Sequence, residues 1–433
     1  MHKYKRKGRF INVMLFLLMI FAGGTLFFVF PKEMLSEREN RYLTKFPTFT
    51  YASLWNGTYT DSLEMYYSDN FIFRNELINF AGAMRECAGY RNEEIRFYSG
   101  PDFETGGQNV QVDSKVILQD SIVSDTTLLI KDSLITSNAD PEGYSKINSV
   151  IVYKKRAIQM FKGSNAAMKR YANLMKRYQE ELGPGINIYC LAIPVGADFY
   201  LPEKFSHSNE KDAINWLYGY LPPGVKGVRA YDVLERHKNE YIHFNTDHHW
   251  TGRGAFYAYG AFCEAAGITP IPMEGFTRKV IRNFLGTMYS HTLSSDLKEN
   301  VDSVEYFKIP YDTKSLCYPK GNVKGRSTQL YIEGARGGHA YGVFLGADYP
   351  LMKITTPNKN SRKILEIKDS YGNAFAPFLA AHFEEVFVVD YRYFEGSIKE
   401  LIAKNGITDI IFAHNVYVVN SGYTIQRELQ ILK

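Results

Sequence analysis

The stretch "INIYCLAIP", residues 186–194, decides the fold. It is an almost unbroken apolar run, whereas a strand with one solvated face alternates apolar and polar residues. An amphipathic helix is predicted before it over residues 165–183, with Gly183 as its stop, and another after it near residues 210–220. A strand that is buried on both faces and flanked by helices indicates a parallel sheet covered by helices.

The alternation of strand and helix continues toward the C-terminus. Helices are predicted at "FAPFLAAHF" (375–383), where Pro377 suits a first turn, and at "GSIKELIAKNG" (396–406). This order predicts an α/β fold with a doubly wound, mostly parallel sheet and flavodoxin-like layers, and we assign residues 148–433 to that domain. Further strands are predicted at residues 150–154, 228–234, 363–370, 385–390 and 408–415.

The N-terminus carries a membrane signal. Residues 11–30, "INVMLFLLMIFAGGTLFFVF", contain no charge, and about 20 apolar residues span a bilayer as a helix. Five basic residues among the first nine predict a cytoplasmic N-terminus. We therefore expect residues 1–31 to be a tail and a transmembrane signal anchor, with the rest outside the cytoplasm, periplasmic or at the cell surface. A cleaved signal peptide is the alternative.

The charge balance argues against nucleic acid as a partner. The net charge is +5, with 51 basic and 46 acidic side chains. Because the first nine residues hold the whole excess, the remaining chain is neutral and lacks the basic footprint of nucleic-acid binding. The four cysteines form no Cys-x-x-Cys pair, so a zinc cluster is not indicated, and we expect no cofactor.

Two regions lie between the anchor and the α/β domain. Residues 32–98 begin as a charged linker and then show helical spacing over 53–86, after a turn at Asn56-Gly57. Residues 99–147 are rich in Ser, Asp, Val and Ile with partial alternation, which predicts a β-rich insert on the surface. We expect residues 32–98 to pack together with residues 148–433.

The stretch "TDHHWTGRG", residues 246–254, holds the first candidate catalytic residues. Thr251 is a typical cap for a helix over about 252–266, with Gly267 as its stop. In an extended segment, Asp247 and His249 face the same way, so the aspartate can orient the histidine as a general base while His248 faces away. The alternative is a metal site in which His243 joins the 247–249 cluster.

The stretch "IKDSYGNAF", residues 367–375, supplies a candidate nucleophile. Ser370 follows a strand, and Gly372 permits a tight turn before a helix. Free N–H groups at a helix start, here near Gly372 and Asn373, can bind an oxyanion. The alternative is that Ser370 is an ordinary helix cap.

Other strand ends offer side chains for the same cleft. Asn415 can donate its amide to an oxyanion or act as a turn residue. Gly196 and Tyr200 follow the strand at 186–194 and are candidate lining residues. Arg392 can bind an anionic group or pair with Asp390. These positions are predicted because ligands collect at the carboxyl ends of strands in open α/β sheets.

Long blocks of the sequence resemble one family. "TDHHWTGRGAFYAY" (246–259) resembles the signature of the DHHW proteins, and the similarity extends over most of residues 36–415, least in the insert. The supporting blocks are "SERENRYLTKFP" (36–47), "DNFIFRNELI" (69–78) and "KDSYGNAFAPFL" (368–379). The DHHW family is similar to the SGNH-hydrolase-like alginate O-acetylation proteins. In those proteins an Asp-x-His motif precedes the nucleophilic serine, as Asp247 and His249 precede Ser370 here. One departure is Lys368, where hydrolases usually have glycine before Asp-Ser, and it leaves the oxyanion donors open.

The resemblance implies a function. It suggests an extracytoplasmic carbohydrate O-acetyltransferase or acetylesterase that acts through an acyl-serine, with Ser370 as nucleophile, His249 as base and Asp247 as orienting residue. Its implied partners are a polysaccharide acceptor and an acetyl donor that a membrane-bound O-acyltransferase supplies. Two alternatives stay open: a non-catalytic polysaccharide-binding or scaffold protein of an export complex, and a metal-dependent hydrolase.

Overall fold

The structure, a computed structural model, describes residues 149–433 except 203, 204, 206 and 321–323. Before residue 149 it describes 35–36, 41–42, 44–55, 57–71 and 95–99, and isolated positions between 14 and 32 and between 73 and 84. The chain divides into two compact units, residues 1–91 and residues 92–433. The predicted insert lies outside the described residues apart from its first position.

Strands and helices alternate through most of the second unit. The described strands are β1 (Leu35–Ser36), β2 (Arg41–Tyr42), β3 (Ile95–Ser99), β4 (Ser149–Tyr153), β5 (Arg156–Gln159), β6 (Asn187–Ile193), β7 (Val225–Gly227), β8 (Thr277–Phe284), β9 (Asp302–Lys308), β10 (Lys314–Tyr318), β11 (Arg326–Thr328), β12 (Leu351–Thr355), β13 (Lys363–Lys368), β14 (Glu385–Asp390) and β15 (Asp409–Asn415). The described α-helices are α1 (Tyr51–Trp55), α2 (Thr58–Asp69), α3 (Asn165–Leu182), α4 (Ala197–Tyr200), α5 (Glu210–Tyr220), α6 (Ala230–Arg236), α7 (Gly252–Ala266), α8 (Thr287–Thr292), α9 (Ser295–Lys298), α10 (Gly372–Leu379), α11 (Ile398–Asn405), α12 (Val416–Val419) and α13 (Gly422–Leu432).

An eight-stranded sheet organises the second unit, in the order β11-β10-β12-β14-β13-β15-β6-β7. The five strands from β14 to β7 are parallel, and β12, β10 and β11 extend one edge in antiparallel pairing. The predicted doubly wound core is therefore present, but the sheet as a whole is mixed. Two smaller antiparallel sheets, β3-β4-β5 and β8-β9, belong to the same unit.

Both faces of the large sheet are covered, which explains the unbroken apolar run of β6. Leu191 and Ile193 belong to a core cluster that includes α7 and α10, while Cys190 and Ala192 belong to the cluster on the other face, with α3 and α5. Burial on both faces leaves no position for a solvated polar residue after Asn187, the exposed first residue of the strand. The helices therefore fix the sheet from two sides and leave the carboxyl ends of its strands free for a site.

Most of the predicted elements in residues 148–433 are confirmed. Helix α3 starts after Ser164, whose side chain accepts a hydrogen bond from the Ala167 N–H, and it ends before Gly183. Helix α7 covers residues 252–266 as predicted, with Thr251 as its cap and the left-handed Gly267 as its stop.

Three predictions about elements are wrong. Residues 228–234 form helix α6 rather than a strand, and the strand lies just before them as β7. The predicted strand at 150–154 exists as β4, but it pairs with β3 and β5 outside the large sheet. Helix α10 starts at Gly372, so Pro377 lies inside the helix rather than in its first turn. There the missing N–H removes one hydrogen bond from a short helix, which the surrounding core tolerates.

The first unit, described by itself, contains the β1-β2 hairpin and helices α1 and α2. Gly57 adopts φ 83° before α2, as the predicted turn at Asn56-Gly57 requires. Asp69 accepts hydrogen bonds from the N–H and hydroxyl of Thr44, at 2.8 and 2.7 Å. Most of the predicted membrane span lies outside the described residues, and none of the helices found among the described ones is long and apolar enough to cross a bilayer. The predicted domain boundaries stay predictions.

Candidate active site

The loop that carries Asp247 and His249 is closed and anchored by its neighbours. An isolated β-bridge joins His243 to Trp250 and closes the loop at its base. The buried carboxylate of Asp302 then accepts hydrogen bonds from the N–H of Asn245 at 2.8 Å and from the N–H and hydroxyl of Thr246, each at 2.6 Å. Helix α6 rather than a strand of the sheet precedes this loop along the chain, so the carboxylate of Asp302 rather than a strand end anchors it.

Asp247, His249 and Ser370 form a continuous hydrogen-bonded relay. The Nε2 atom of His249 lies 2.8 Å from the Oγ of Ser370, and its Nδ1 lies 2.6 Å from the Oδ1 of Asp247. Ionised Asp247 only accepts, so Nδ1 carries a proton and Nε2 is free to accept the serine hydroxyl proton. The aspartate and histidine are buried and the serine is half-buried. This is the arrangement of a nucleophile, a general base and its orienting group.

Two residues outside the predicted motifs hold the Asp247 carboxylate. Thr287, the first residue of α8, donates to Oδ2 through its N–H at 2.8 Å and through its hydroxyl at 3.0 Å. Gly286 packs so closely that a Cβ atom there would lie 2.3 Å from the Cβ of Asp247. Burial raises the pKa of this carboxyl. The electrostatic effects of His249 and His248 and the hydrogen bonds from His249 and Thr287 outweigh this effect of burial, so the pKa of Asp247 lies below its usual value.

Aromatic side chains hold the two candidate loops together. The ring of Tyr341 stacks on His249 with 3.9 Å between centroids and an interplanar angle of 9°, and its hydroxyl donates to the Ser370 carbonyl at 3.0 Å. The indole N–H of Trp250 donates to the Tyr371 carbonyl at 2.9 Å, and the Tyr371 hydroxyl donates to the His248 carbonyl. These cross-links fix the imidazole against the serine from both loops.

The serine turn is shaped by Asp369. Its two carboxylate oxygens accept from the N–H of Tyr371 at 2.7 Å and from the N–H of Asn415 at 2.8 Å. Burial raises the pKa of Asp369 to about 6, against the opposing effect of these hydrogen bonds. In the described chain the Ser370 N–H donates to no protein acceptor, so it is available to a ligand at the start of α10.

The lysine that precedes Asp369-Ser370 points into the sheet. The Lys368 ammonium lies 2.7 Å from a carboxylate oxygen of Asp348 and 2.9 Å from one of Asp390. Arg392 pairs with the same two aspartates at 3.0 and 2.7 Å, which confirms the structural alternative for this residue. Because its charge is neutralised within this cluster, Arg392 is not free to bind an anion near Ser370.

The candidate oxyanion residues make structural contacts. The Asn415 side-chain oxygen accepts from the N–H groups of Tyr417 and Val418, so it caps α12, which favours the turn-residue alternative. The Asn373 amide donates to Asp348 at 2.9 Å. No side chain fits at position 372, since a Cβ atom on Gly372 would lie 2.6 Å from the Oε1 of Glu366.

Of Gly196 and Tyr200, the two candidate lining residues after β6, only Tyr200 lines the small cleft beside Asp247 and His249. Tyr200 lines it together with Arg156, His243 and the triad residues Asp247 and His249, but Ser370 is not among its lining residues, so a cleft shared with the serine stays a prediction. Gly196 is not a lining residue. Its φ of 89° and the 3.0 Å that would separate its Cβ from the Tyr200 ring show that it lets this ring approach the backbone.

The metal alternative is limited by how its donor atoms are used. Donor atoms of Asp247, His248 and His249 lie within 4.8 Å of one another. However, Asp247 and His249 bond each other, and the Nδ1 of His248 lies 2.6 Å from the Thr287 hydroxyl. His248 does not face away as predicted: its ring lies 3.8 Å from that of His249, and burial next to that histidine lowers its pKa to about 3. His243 is absent from the cluster and bonds the Pro194 carbonyl at 3.1 Å.

Several site residues had no recognisable signal in the sequence. Asp302, Tyr341 and Asp348 lie outside both motifs along the chain. A single aspartate or tyrosine has no sequence pattern that indicates a supporting role in a site. Gly286-Thr287 offered the best clue, because a Gly-Thr pair at the start of a helical segment can bind an anion. Its partner, Asp247, becomes apparent only in three dimensions.

Comparisons with known proteins agree with this architecture. The sequence model of the DHHW protein family matches residues 102–389, a range that contains all three triad residues. A DHHW family protein from Eubacterium siraeum is 30% identical, with 66% of this chain and 97% of that chain covered at a TM-score of 0.61. PatB1 from Bacillus cereus, solved with a sulfonyl adduct, is 20% identical, with 64% and 97% covered at a TM-score of 0.55, and shows the same fold. The O-acetyltransferase domain of Pseudomonas putida AlgJ is 14% identical, with 63% and 95% covered, and its TM-score of 0.38 is too low to bear on the fold. No curated protein matches the chain.

Proposed function

The chain belongs to the DHHW protein family, and from its Asp247–His249–Ser370 relay we propose that it is an extracytoplasmic carbohydrate O-acetyltransferase or acetylesterase that works through an acyl-serine. The observation that carries the proposal is the 2.8 Å contact between the Ser370 hydroxyl and the unprotonated Nε2 of His249. It joins two motifs that are 121 residues apart in the sequence. A structural serine cap has no need of a buried histidine–aspartate pair behind it.

The first half of the reaction forms the acyl-serine. The Ser370 Oγ attacks the carbonyl carbon of an acetyl ester while His249 takes the hydroxyl proton, and Asp247 stabilises the resulting imidazolium. The unbonded Ser370 N–H is placed to stabilise the oxyanion. When the tetrahedral intermediate collapses, the bond to the leaving alcohol breaks and His249 returns the proton to that alcohol.

The second half releases the acetyl group. A hydroxyl of a sugar, or of water, gives its proton to His249 and attacks the acyl carbon, and the Ser370 ester bond breaks as the hydroxyl proton returns to the serine. A sugar acceptor gives an acetylated glycan, and water gives acetate. The same relay serves both outcomes, so acceptor binding decides between transferase and esterase.

The uncharged segment at residues 11–30 and the basic residues before it support a place for the enzyme outside the cytoplasm on an N-terminal anchor. An enzyme in that position needs acetyl groups from across the membrane, and a membrane-bound O-acyltransferase is the partner that the family resemblance suggests. Extraction of membranes at alkaline pH and protease treatment of intact cells test this. A chain released by the extraction, or shielded from protease, contradicts the proposed location.

Covalent labelling of Ser370 tests the mechanism. The full chain in detergent is exposed to a fluorophosphonate or a sulfonyl fluoride, and the modified peptide is located by mass spectrometry. PatB1, which shares the fold, is described with a sulfonyl adduct, which suggests the second reagent. We expect label on Ser370 and loss of p-nitrophenyl acetate turnover by at least about 10³-fold in Ser370→Ala.

Matched controls separate this proposal from its alternatives. Ser327→Ala alters an exposed serine in β11 and should retain both label and turnover. Turnover that a chelator abolishes would favour a metal-dependent hydrolase. An unlabelled Ser370 without turnover, in a protein that still binds glycan, would favour a scaffold. Label on a different residue would refute the assignment of the nucleophile.

A further inference from the structure

His248, which lies between Asp247 and His249 in the sequence, is also joined to the relay. Its Nδ1 atom lies 2.6 Å from the hydroxyl oxygen of Thr287, and that oxygen lies 3.0 Å from the Oδ2 of Asp247. The side chain of His248 is only 9% exposed, and its ring centroid lies 3.8 Å from that of His249. His248 therefore reaches Asp247 by a second path, through the carboxylate oxygen that His249 does not bond.

The directions of these hydrogen bonds follow from the number of protons available. The Thr287 hydroxyl has one proton and two partners in the described chain, the carboxylate of Asp247 and the Nδ1 of His248. Asp247 is ionised because its pKa lies below its usual value, so it only accepts and the hydroxyl proton points at Oδ2. The Thr287 oxygen is then the acceptor toward His248. The Nδ1 of His248 therefore carries a proton.

Both histidines thus donate toward one carboxylate. His249 donates its Nδ1 proton directly to Oδ1 of Asp247, and His248 donates toward Oδ2 through the hydroxyl of Thr287. Hydrogen bonds in such a chain strengthen one another, because each donor polarises the next. Burial lowers the pKa of His248 to about 3, so its ring is neutral near pH 7. It therefore adds no positive charge beside the imidazolium that forms on His249 during the reaction.

We propose that His248 is a positioning residue whose Nδ1 proton holds the Thr287 hydroxyl on Asp247. The hydroxyl and the N–H of Thr287 then both bind Oδ2, at 3.0 and 2.8 Å, and fix the plane of the carboxylate that orients His249. The chain of hydrogen bonds behind Ser370 has four further members, which end at His248. The inference rests on the proposed function, since this orientation serves the proton transfer from Ser370.

Two substitutions of nearly equal shape separate the Nδ1 proton from the rest of the side chain. Asparagine keeps an N–H donor on an atom attached to Cγ, as Nδ1 is, and leucine has a similar shape without the donor. Both lose the ring contact with His249, so their comparison cancels it. With the full chain and p-nitrophenyl acetate, kcat should be about fivefold higher for His248→Asn than for His248→Leu, as expected for one neutral hydrogen bond, and KM should be equal.

Thr287→Val supplies a background in which this difference should vanish. Without the Thr287 hydroxyl, a donor at position 248 has no oxygen to hold, so the asparagine and leucine variants should have equal kcat. His237→Phe is the matched control, because the His237 ring stacks on Tyr257 at 3.7 Å and its Nδ1 bonds Glu240 rather than a relay residue, and kcat should be unchanged. Equal kcat of the two variants beside an intact Thr287, or a difference that persists in Thr287→Val, overturns the inference.

The proton on His248 can also be observed without turnover. In the full chain with ¹⁵N-labelled histidine, the His248 signals are those absent from His248→Asn, and their chemical shifts distinguish a protonated Nδ1 from a protonated Nε2. We expect the proton on Nδ1, and a proton on Nε2 overturns the inference. A parent chain with neither turnover nor label on Ser370 refutes the proposed acetyl transfer and the role that rests on it. An active parent chain with the His248 proton on Nε2 refutes only the role of His248.

Discussion

Replacing Gly286 by alanine tests whether the position of Asp247 sets the rate. The backbone of Gly286, with φ −86° and ψ −166°, accepts any residue, so strain plays no part. The new methyl would lie 2.3 Å from the Cβ of Asp247 and 2.4 Å from its Oδ2, while ordinary contacts begin at 3.4 Å. Asp247 must therefore move by about 1 Å, which lengthens its 2.6 Å bond to His249 beyond hydrogen-bonding range.

The expected loss follows from that displacement. A misplacement of about 1 Å costs roughly 100-fold in rate, or about 3 kcal/mol of transition-state stabilisation. Overpacking should also lower the free energy of unfolding by about 1–3 kcal/mol. The kcat/KM for p-nitrophenyl acetate and the rate of Ser370 labelling measure the first effect, and urea denaturation measures the second.

Gly260→Ala is the matched control for Gly286→Ala. Gly260 lies within α7, and a Cβ atom there meets no other atom within 4 Å. Alanine in a helix interior should leave activity unchanged and raise stability by about 0.5–1 kcal/mol. Activity of Gly286→Ala within twofold of the parent protein would refute the reasoning, because Asp247 would then tolerate displacement.

Three further substitutions probe the surroundings of the relay. Thr287→Val keeps the backbone bond to Asp247 but removes the 3.0 Å hydroxyl bond to Asp247 and the 2.6 Å contact with the Nδ1 of His248. Loss of the bond to the charged Asp247 should by itself lower kcat/KM roughly tenfold, and an unchanged value in steady-state kinetics would contradict this role. Tyr341→Phe keeps the ring stack on the imidazole but removes the bond to the Ser370 carbonyl, so urea denaturation should show a loss of about 1 kcal/mol, and no loss would show that this bond contributes nothing. Glu366 is buried without a hydrogen-bond partner in the described chain, and burial raises its pKa well above the usual value. In the folded protein Glu366 therefore keeps its proton at pH values above about 4.5, where the unfolded chain releases it. The free energy of unfolding is thus not reduced by Glu366 below about pH 4.5, and it falls as the pH rises toward the folded-state pKa. Glu366→Gln should thus stabilise the protein more at pH 8 than at pH 5 in urea denaturation, and equal effects at both pH values would show that the carboxyl is not held neutral.

The core of the fold could be predicted because its local signals agree with its burial. Residues 188–193 and 410–413 are apolar throughout since each strand has a packed layer on both faces. Helix α7 was bounded correctly because a capping threonine and a left-handed glycine mark its ends. Prediction failed at residues 228–234, where alternating apolar residues fit a strand or a short helix, and packing against α7 and β6 favoured the helix.

The candidate site was only partly predictable for a different reason. Two short motifs, each just before the start of a helix, contain Asp247, His249 and Ser370. These local motifs sufficed to suggest the three residues as candidates. Their supports, Asp302 and Tyr341, act across long sequence separations, and each is a single common residue.

Lys368 shows how a departure from a motif can be absorbed by the core. A glycine was expected before Asp369-Ser370, and a lysine there could have obstructed the nucleophile. Instead its side chain, 1% exposed, turns into the sheet and meets Asp348 and Asp390, while Arg392 joins the same carboxylates. Two cations balance two anions, and removal of one partner from a buried pair of this kind costs about 3–5 kcal/mol. The cluster therefore holds the end of β13 rigid and keeps the cation away from the serine. The motif can lose its glycine without losing access to Ser370, because the charge that replaced it is bound within the protein.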